Sequence, residues 1–232
     1  MLSRVEILIV RVSQWFFHFL YWTGMFIVFS LFFNIRVEGK ENIPKKGRLI
    51  FAANHQNFFD GFFIAYLEGP LKKSTYVIAK RALNNFFQIL FKLIGAVLLG
   101  SSREDYQNLL KKLNNVLHHG GRVVIFPEGD ISSREIPKRF KGGVIRLSNS
   151  SRTRILPIYI NGSYNIRFFW YWFRRSEILI RVGKPIELYK YADSSEYNSE
   201  NLAAILRNEV LKLSNCVLES FEIQEKYAII CN

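Results

Sequence analysis

Cysteine is nearly missing: Cys216 and Cys231 are the only two in 232 residues, both near the C-terminus and without a C-x-x-C spacing. That excludes a disulfide framework and a cysteine zinc site, and it fits a reducing compartment. The four histidines, His18, His55, His118 and His119, form no H-E-x-x-H or similar ligand pattern, so no metal is expected. Acidic residues are scarce, 19 against 32 Lys and Arg. The resulting formal charge of +13 favours an anionic partner such as nucleic acid, an acidic membrane or a phosphate-bearing substrate. Internal repeats, low-complexity tracts and proline-rich linkers are also lacking. What is present is 49% hydrophobic residues, enough for a real core and incompatible with a disordered chain.

Charge itself is lacking over residues 12–35, "VSQWFFHFLYWTGMFIVFSLFFNI". At about 1.5 Å rise per residue a helix of that length would cross a hydrocarbon core of roughly 30 Å. It exceeds the apolar core of a cleaved signal peptide, and no small-residue cleavage site follows. The expectation is a membrane-anchoring helical segment over residues 1–35, as one span or, with a break at Gly24, two interfacial helices, ahead of a catalytic domain over residues 36–232. A buried core helix is the alternative. Arg36, Lys40, Lys45, Lys46 and Arg48 downstream outnumber Arg4 and Arg11 upstream. By the positive-inside rule the following domain lies on the cytoplasmic side of the inner or plasma membrane.

Beyond residue 36 the pattern alternates. Short β-rich runs at 48–54, 75–80, 95–100, 122–128, 154–160 and 177–183 are separated by stretches of helical spacing. Helices are predicted over 57–67, 82–94, 103–118 and 201–220. That is an α/β fold, a mixed, mainly parallel sheet flanked by helices. The third helix ends in "HHGG", which makes His118 and His119 C-terminal dipole partners rather than site residues. The second helix could line an acyl-chain groove, but its apolar spacing is read as core. In "IRFFWYWFRR", 166–175, clustered rings between cations suit a headgroup boundary, with an aromatic core strand as the alternative.

"NHQNFFD", 54–60, places His55 and Asp60 at a strand-to-helix junction. On one continuous helix five residues turn through about 500°, so the two side chains meet only if His55 precedes the helix. Two readings stand. In one, Asn57 is the N-cap and Asp60 completes a capping-box-like start, leaving His55 as a loop residue. In the other, Asp60 accepts a hydrogen bond from one imidazole nitrogen and leaves the other as a general base for a substrate hydroxyl. A second cluster, "VVIFPEGDISSREIPKRFKGG", is a buried-type strand running into Pro127, Glu128 and Gly129 and then a basic loop with Arg134, Lys138, Arg139 and Lys141. Such a loop offers cations to a phosphate. "LPIYING", 156–162, is a strand with a proline at an edge or bulge.

In this order the elements resemble the glycerolipid acyltransferase family that includes 1-acyl-glycerol-3-phosphate acyltransferases, from about Arg36 to Pro185. "NHQNFFD" resembles its N-H-x-x-x-x-D motif, "FPEGD" its F-P-E-G motif, "RFKGG" the basic segment that follows and "LPIYING" its last proline-containing block. The resemblance implies His55 as general base, Asp60 as its orienting carboxylate, and Glu128 with Gly129 in the acceptor and oxyanion region. It also implies an N-terminal apolar element that holds the site against the bilayer. Two positions depart from the pattern. The arginine that usually follows the second block falls on Ser101, with Arg103 nearest, and Asp130 and Ile131 replace the Thr and Arg after F-P-E-G, leaving Arg134 and Lys141 as substitutes.

The implied reaction moves a fatty acyl group from an acyl thioester, carried by coenzyme A or acyl carrier protein, to the sn-2 hydroxyl of lysophosphatidic acid, giving phosphatidic acid. No cofactor beyond that co-substrate is expected. Another lysolipid acceptor is the nearest alternative. A basic nucleic-acid-binding protein is the distant one, and no recognition-helix, RNP or zinc pattern favours it; the expected partner is the bilayer, not nucleic acid.

Overall fold

The computed structural model describes residues 19–20, 23–69, 74–93, 95–132, 136–166, 176–191, 197–214, 216–218 and 229–231. Seven strands form the main sheet: β1 (Phe33–Glu38), β2 (Leu49–Ala53), β3 (Ser74–Ala79), β4 (Val97–Leu99), β5 (Arg122–Ile125), β6 (Ile155–Asn161) and β7 (Ser176–Val182). Their order is β1-β7-β6-β2-β5-β3-β4. The five strands from β6 to β4 run parallel, β7 is antiparallel to β6, and β1 joins β7 in parallel at the edge. The expected mixed, mainly parallel sheet is what forms.

Strand composition follows from the covering layers. β2, "LIFAA", is buried at every position because helices cover both faces, so it reads as a continuous apolar run rather than an alternating one. Its side chains still alternate: Leu49, Phe51 and Ala53 enter one core, Ile50 and Ala52 the other. The first core receives α1 (residues 23–32) and α2 (Asp60–Glu68). The second receives α4 (Arg103–His118), α5 (Gly143–Ser151) and α6 (Ser199–Lys212). α3 (Asn85–Leu93) packs beside β4 at the sheet edge.

Pro157 lies inside β6, between β2 and β7. Its missing N–H falls at a break in pairing: Ile155 bridges to Ile186, and the ladder to β7 begins only at Ile158 opposite Val182. Of the edge or bulge expected, the edge is not what forms, and this break in pairing lets a proline enter an inner strand. Gly162 then closes β6 at φ 89°, where a Cβ would lie 2.3 Å from the Glu177 carbonyl oxygen. Ser102 opens α4 with a capping box, accepting the Asp105 N–H at 2.9 Å while Asp105 accepts the Ser102 N–H at 3.2 Å. At the other end His119 bonds the Asn115 carbonyl through Nδ1 at 2.7 Å.

Three expectations change. The uncharged run does not stay helical to residue 35, because Phe33–Ile35 belong to β1 and pair with Ser176–Ile178. Within α1, Phe29 is 1% exposed and packs against Phe33, Phe59, Phe62 and Phe63. Among the described residues no helix is long and apolar enough to cross a membrane; most of residues 12–22 lies outside them, as do residues 167–175 of the aromatic segment. α5 was not among the expected helices, since "KGG" reads as loop; Val144, Ile145 and Leu147 bury it. The last helix ends at Lys212 rather than 220, and Cys216–Leu218 pairs with Ile229–Cys231 as a two-stranded ribbon.

Candidate active site

β2 and β5 are parallel neighbours, with Ala52 opposite Ile125, so the segments leaving their carboxyl ends emerge side by side. Ligand sites in open α/β sheets form at that edge. Asn54 anchors the first segment: its Oδ1 accepts the Ile160 N–H at 2.7 Å and its Nδ2 donates to the Ile160 carbonyl at 2.8 Å. This buried side chain continues the ladder to β6 after β2 has ended. Gln56 is buried too and accepts from Ser163 Oγ at 3.2 Å. Between these fixed neighbours His55 turns outward.

Asp60 is the first residue of α2 and is fully buried. Its Oδ2 accepts three hydrogen bonds, from the Gln56 N–H at 2.6 Å, the Asn57 N–H at 2.8 Å and His55 Nδ1 at 2.9 Å. The expected N-cap at Asn57 is not formed. Phe59 holds the cap position, while Asn57 accepts the Phe59 N–H at 3.1 Å and donates to the Ile166 carbonyl at 3.1 Å. The carboxylate folds back over the turn that precedes the helix. One side chain thus holds the loop and the imidazole at once: Asp60 keeps the Asn57 N–H of the capping reading, while His55 is bonded to it as in the second. With Nδ1 turned to Asp60, Nε2 is the other ring nitrogen, and no described residue bonds it.

The second segment locks the first. Glu128 Oε1 accepts the His55 N–H at 2.8 Å and Oε2 accepts the Lys138 N–H at 2.8 Å. The Ser132 N–H returns to the His55 carbonyl at 2.7 Å. Phe126 stacks on the imidazole at 4.1 Å and 18°. Both Glu128 oxygens are therefore engaged by backbone of this chain. Gly129 has φ 71°, a left-handed conformation that favours glycine, and Lys141 Nζ lies 2.5 Å from where its Cβ would be. Its own N–H goes to the Phe126 carbonyl at 3.0 Å.

Burial holds the Glu128 carboxyl above its ordinary 4.5, outweighing the opposite pull of the His55 and Lys138 N–H groups. The folded protein binds this proton more tightly than the unfolded chain does. The contribution of this group to stability is thus greatest when it is protonated and falls as pH rises above about 4.5. In Glu128→Gln, which does not titrate, that slope is absent, although a lost acceptor lowers stability at every pH. Thermal melts from pH 4 to 7 should show wild type losing ground relative to the variant; parallel curves would refute the raised affinity.

Beside His55 lies a cavity of about 550 Å³, within the range of small-molecule sites. Its depth is apolar, with Ile78, Leu99, Leu109, Leu113, Val144 and Leu147. Its wall also carries His55, Gly129, Asp130, Lys141, Arg146, Glu200 and the start of α5 at Gly142 and Gly143. Of the site residues expected from sequence, His55, Asp60, Glu128, Gly129 and Lys141 come together. Arg103 is exposed at the start of α4 and is not part of the cavity wall, and Arg134 lies outside the described residues. Sequence reasoning missed Arg146, which lines the cavity one helical turn into α5, because α5 was not recognised. It also missed Arg81, which reaches Asp130 at 3.2 Å from the loop after β3; nothing in local sequence joins those two.

A mixed, mainly parallel sheet with a buried carboxylate, an imidazole and a largely apolar cavity beside the carboxyl ends of its strands defines the class: an α/β enzyme. The chain belongs to the Acyltransferase family, whose model matches residues 34–161, and it is an acyltransferase. It is similar to a 1-acyl-sn-glycerol-3-phosphate acyltransferase of Borreliella burgdorferi, 29% identical over 77% of this chain and 70% of that one. A protein of the same name from Bacillus subtilis is 22% identical over 82% of this chain and 92% of its own length. The crystal structure of the 1-acyl-sn-glycerophosphate (LPA) acyltransferase from Thermotoga maritima superposes with a TM-score of 0.59 at 21% identity, over 92% of this chain and 83% of that one. That likeness concerns the fold.

Proposed function

We propose that the protein transfers a fatty acyl group from an acyl thioester of coenzyme A or acyl carrier protein to the sn-2 hydroxyl of 1-acyl-glycerol-3-phosphate, giving phosphatidic acid. The observation that carries this reading is the position of His55: Asp60 bonds its Nδ1 while the ring borders an apolar cavity. His55 Nε2 takes the acceptor hydroxyl proton as the oxygen attacks the thioester carbonyl. The tetrahedral intermediate collapses with cleavage of the C–S bond, and the imidazolium returns the proton to the departing thiolate. No covalent enzyme intermediate is needed, because a thioester is already activated.

The apolar depth suits an acyl chain, and Lys141, Arg146 and the N-terminal end of α5 suit the acceptor phosphate. Glu128 acts by fixing the His55 main chain rather than by touching substrate. Gly129 contributes close backbone approach, since its N–H is already bonded. The N-terminal apolar segment holds the site at the cytoplasmic face of the membrane, which the lipid acceptor and product require. Purified protein incubated with acyl thioester and a panel of lysolipids, with products read by mass spectrometry, tests the reaction. Phosphatidic acid from lysophosphatidic acid is expected as the dominant product. Preference for another lysolipid would move the acceptor, and no acyl transfer to any would end the reading.

A further inference from the structure

α3 fills the core role expected from its apolar spacing only in part. One side does face inward: Phe91 is 8% exposed and lines the cavity. The other side carries Phe86, 70% exposed, and Ile89, 62% exposed. They are three residues apart, hence neighbours on one helical face. Exposed residues of this size together on one helix mark an interaction surface.

Charge identifies the occupant. From Gly69 to Arg103 the sequence holds no Asp or Glu but carries Lys72, Lys73, Lys80, Arg81, Lys92 and Arg103. Lys92, in the last turn of α3, and Lys80, in the short turn that precedes the helix and close to Asp105, are exposed. An apolar helix face bordered by cations is the pattern of a helix lying in an anionic lipid interface, rings and aliphatic chains in the acyl boundary and lysines at the headgroups. A second copy of this chain would bring like charges together.

Ring contacts also tie α3 to the N-terminal helix. Phe58, 44% exposed, sits at the cavity and packs on Phe91 at 5.9 Å. It contacts Phe59 at 5.8 Å, which contacts Phe29 of α1 at 6.0 Å. α1 in turn exposes Ile27 and Leu31. A chain of rings, Phe91, Phe58, Phe59 and Phe29, therefore links α3 to α1, and its one exposed member, Phe58, lines the cavity.

We propose that α3 is an interfacial helix that docks on an anionic bilayer through Phe86 and Ile89, with Lys80 and Lys92 at the headgroups. This sets the cavity opening against the lipid surface. As a route for feeding the cavity, the proposal rests on the lipid-acceptor reading above; as a docking surface it stands on exposure and charge.

The test uses the full chain with Cys216 and Cys231 replaced by serine and an environment-sensitive fluorophore on Ile89→Cys. Vesicles containing phosphatidylglycerol should shift its emission to the blue, and lipids brominated on the acyl chain should quench it. A label on Ala204→Cys, exposed on α6 behind the other face of the sheet, should stay in water. An unshifted label at position 89 on vesicle-bound protein overturns the proposal. So does a shift that follows protein concentration without lipid, which would assign the face to a second copy. In a second arm, Phe86→Ser with Ile89→Ser should lower turnover of a vesicle-embedded lysolipid about tenfold and leave turnover of a short-chain, monomeric lysolipid unchanged. Equal losses on both acceptors would make α3 a cavity wall only. Absence of acyl transfer by wild type would remove the reaction while the fluorescence arm still decides the docking.

Discussion

His55→Ala is expected to lower acyl transfer by roughly 10²–10⁴-fold, the usual worth of a positioned general base. The variant should remain folded, because the loop is held by groups that alanine retains. Its N–H still reaches Glu128 and its carbonyl still accepts from Ser132. Asn54 stays bonded to both polar groups of Ile160, and Asp60 keeps the Gln56 and Asn57 N–H donors. The ring itself is a partly exposed side chain whose loss removes one stacking contact with Phe126. The informative pair of measurements is turnover and thermal unfolding. Wild-type turnover in a folded His55→Ala protein would remove the imidazole from the mechanism. Collapse of the fold would show that its stacking on Phe126 holds more than the geometry indicates.

Asp60→Asn should lose turnover nearly as heavily, by about 10²-fold or more, for a different reason. The amide oxygen can still accept the Gln56 and Asn57 N–H groups, so the turn before α2 keeps its hydrogen bonds. What disappears is the negative charge that fixes the Nδ1–H tautomer and stabilises the imidazolium as the hydroxyl proton arrives. The expected signature is a fall in kcat with little change in the acceptor KM. Asp60→Ala provides the contrast. It leaves two backbone donors without their acceptor, and each such group destabilises by about 1–3 kcal/mol, so melting temperature should fall along with turnover. If Asp60→Asn melted early yet turned over normally, the carboxylate would be a loop clamp and nothing more.

The chemistry-bearing motifs were legible in the sequence because they are local. "LIFAA" followed by "NHQNFFD" announces a buried strand, a short loop and a helix, and that junction is where His55 and Asp60 meet. The alternation of β-rich and helical segments predicted the sheet class for the same reason. Legibility stopped where a segment takes its structure from a distant partner. Phe33–Ile35 looks like the tail of an apolar helix, and only β7, some 140 residues later, makes it part of a strand. "KGGVIRL" looks like a basic loop until Val144, Ile145 and Leu147 find the second core. Glu128 belongs to a recognised motif, but its engagement with the His55 N–H depends on β5 lying next to β2.

Sequence by itself determined the class of fold, the family and the pair of side chains at the centre of the site, since each is written within a few consecutive residues or a repeating period. Tertiary structure alone decided which cations line the cavity, which side of α3 faces outward and what Glu128 holds. Those outcomes depend on which strands become neighbours, and that choice is made by burial of two apolar layers against a common sheet rather than by any short stretch of chain.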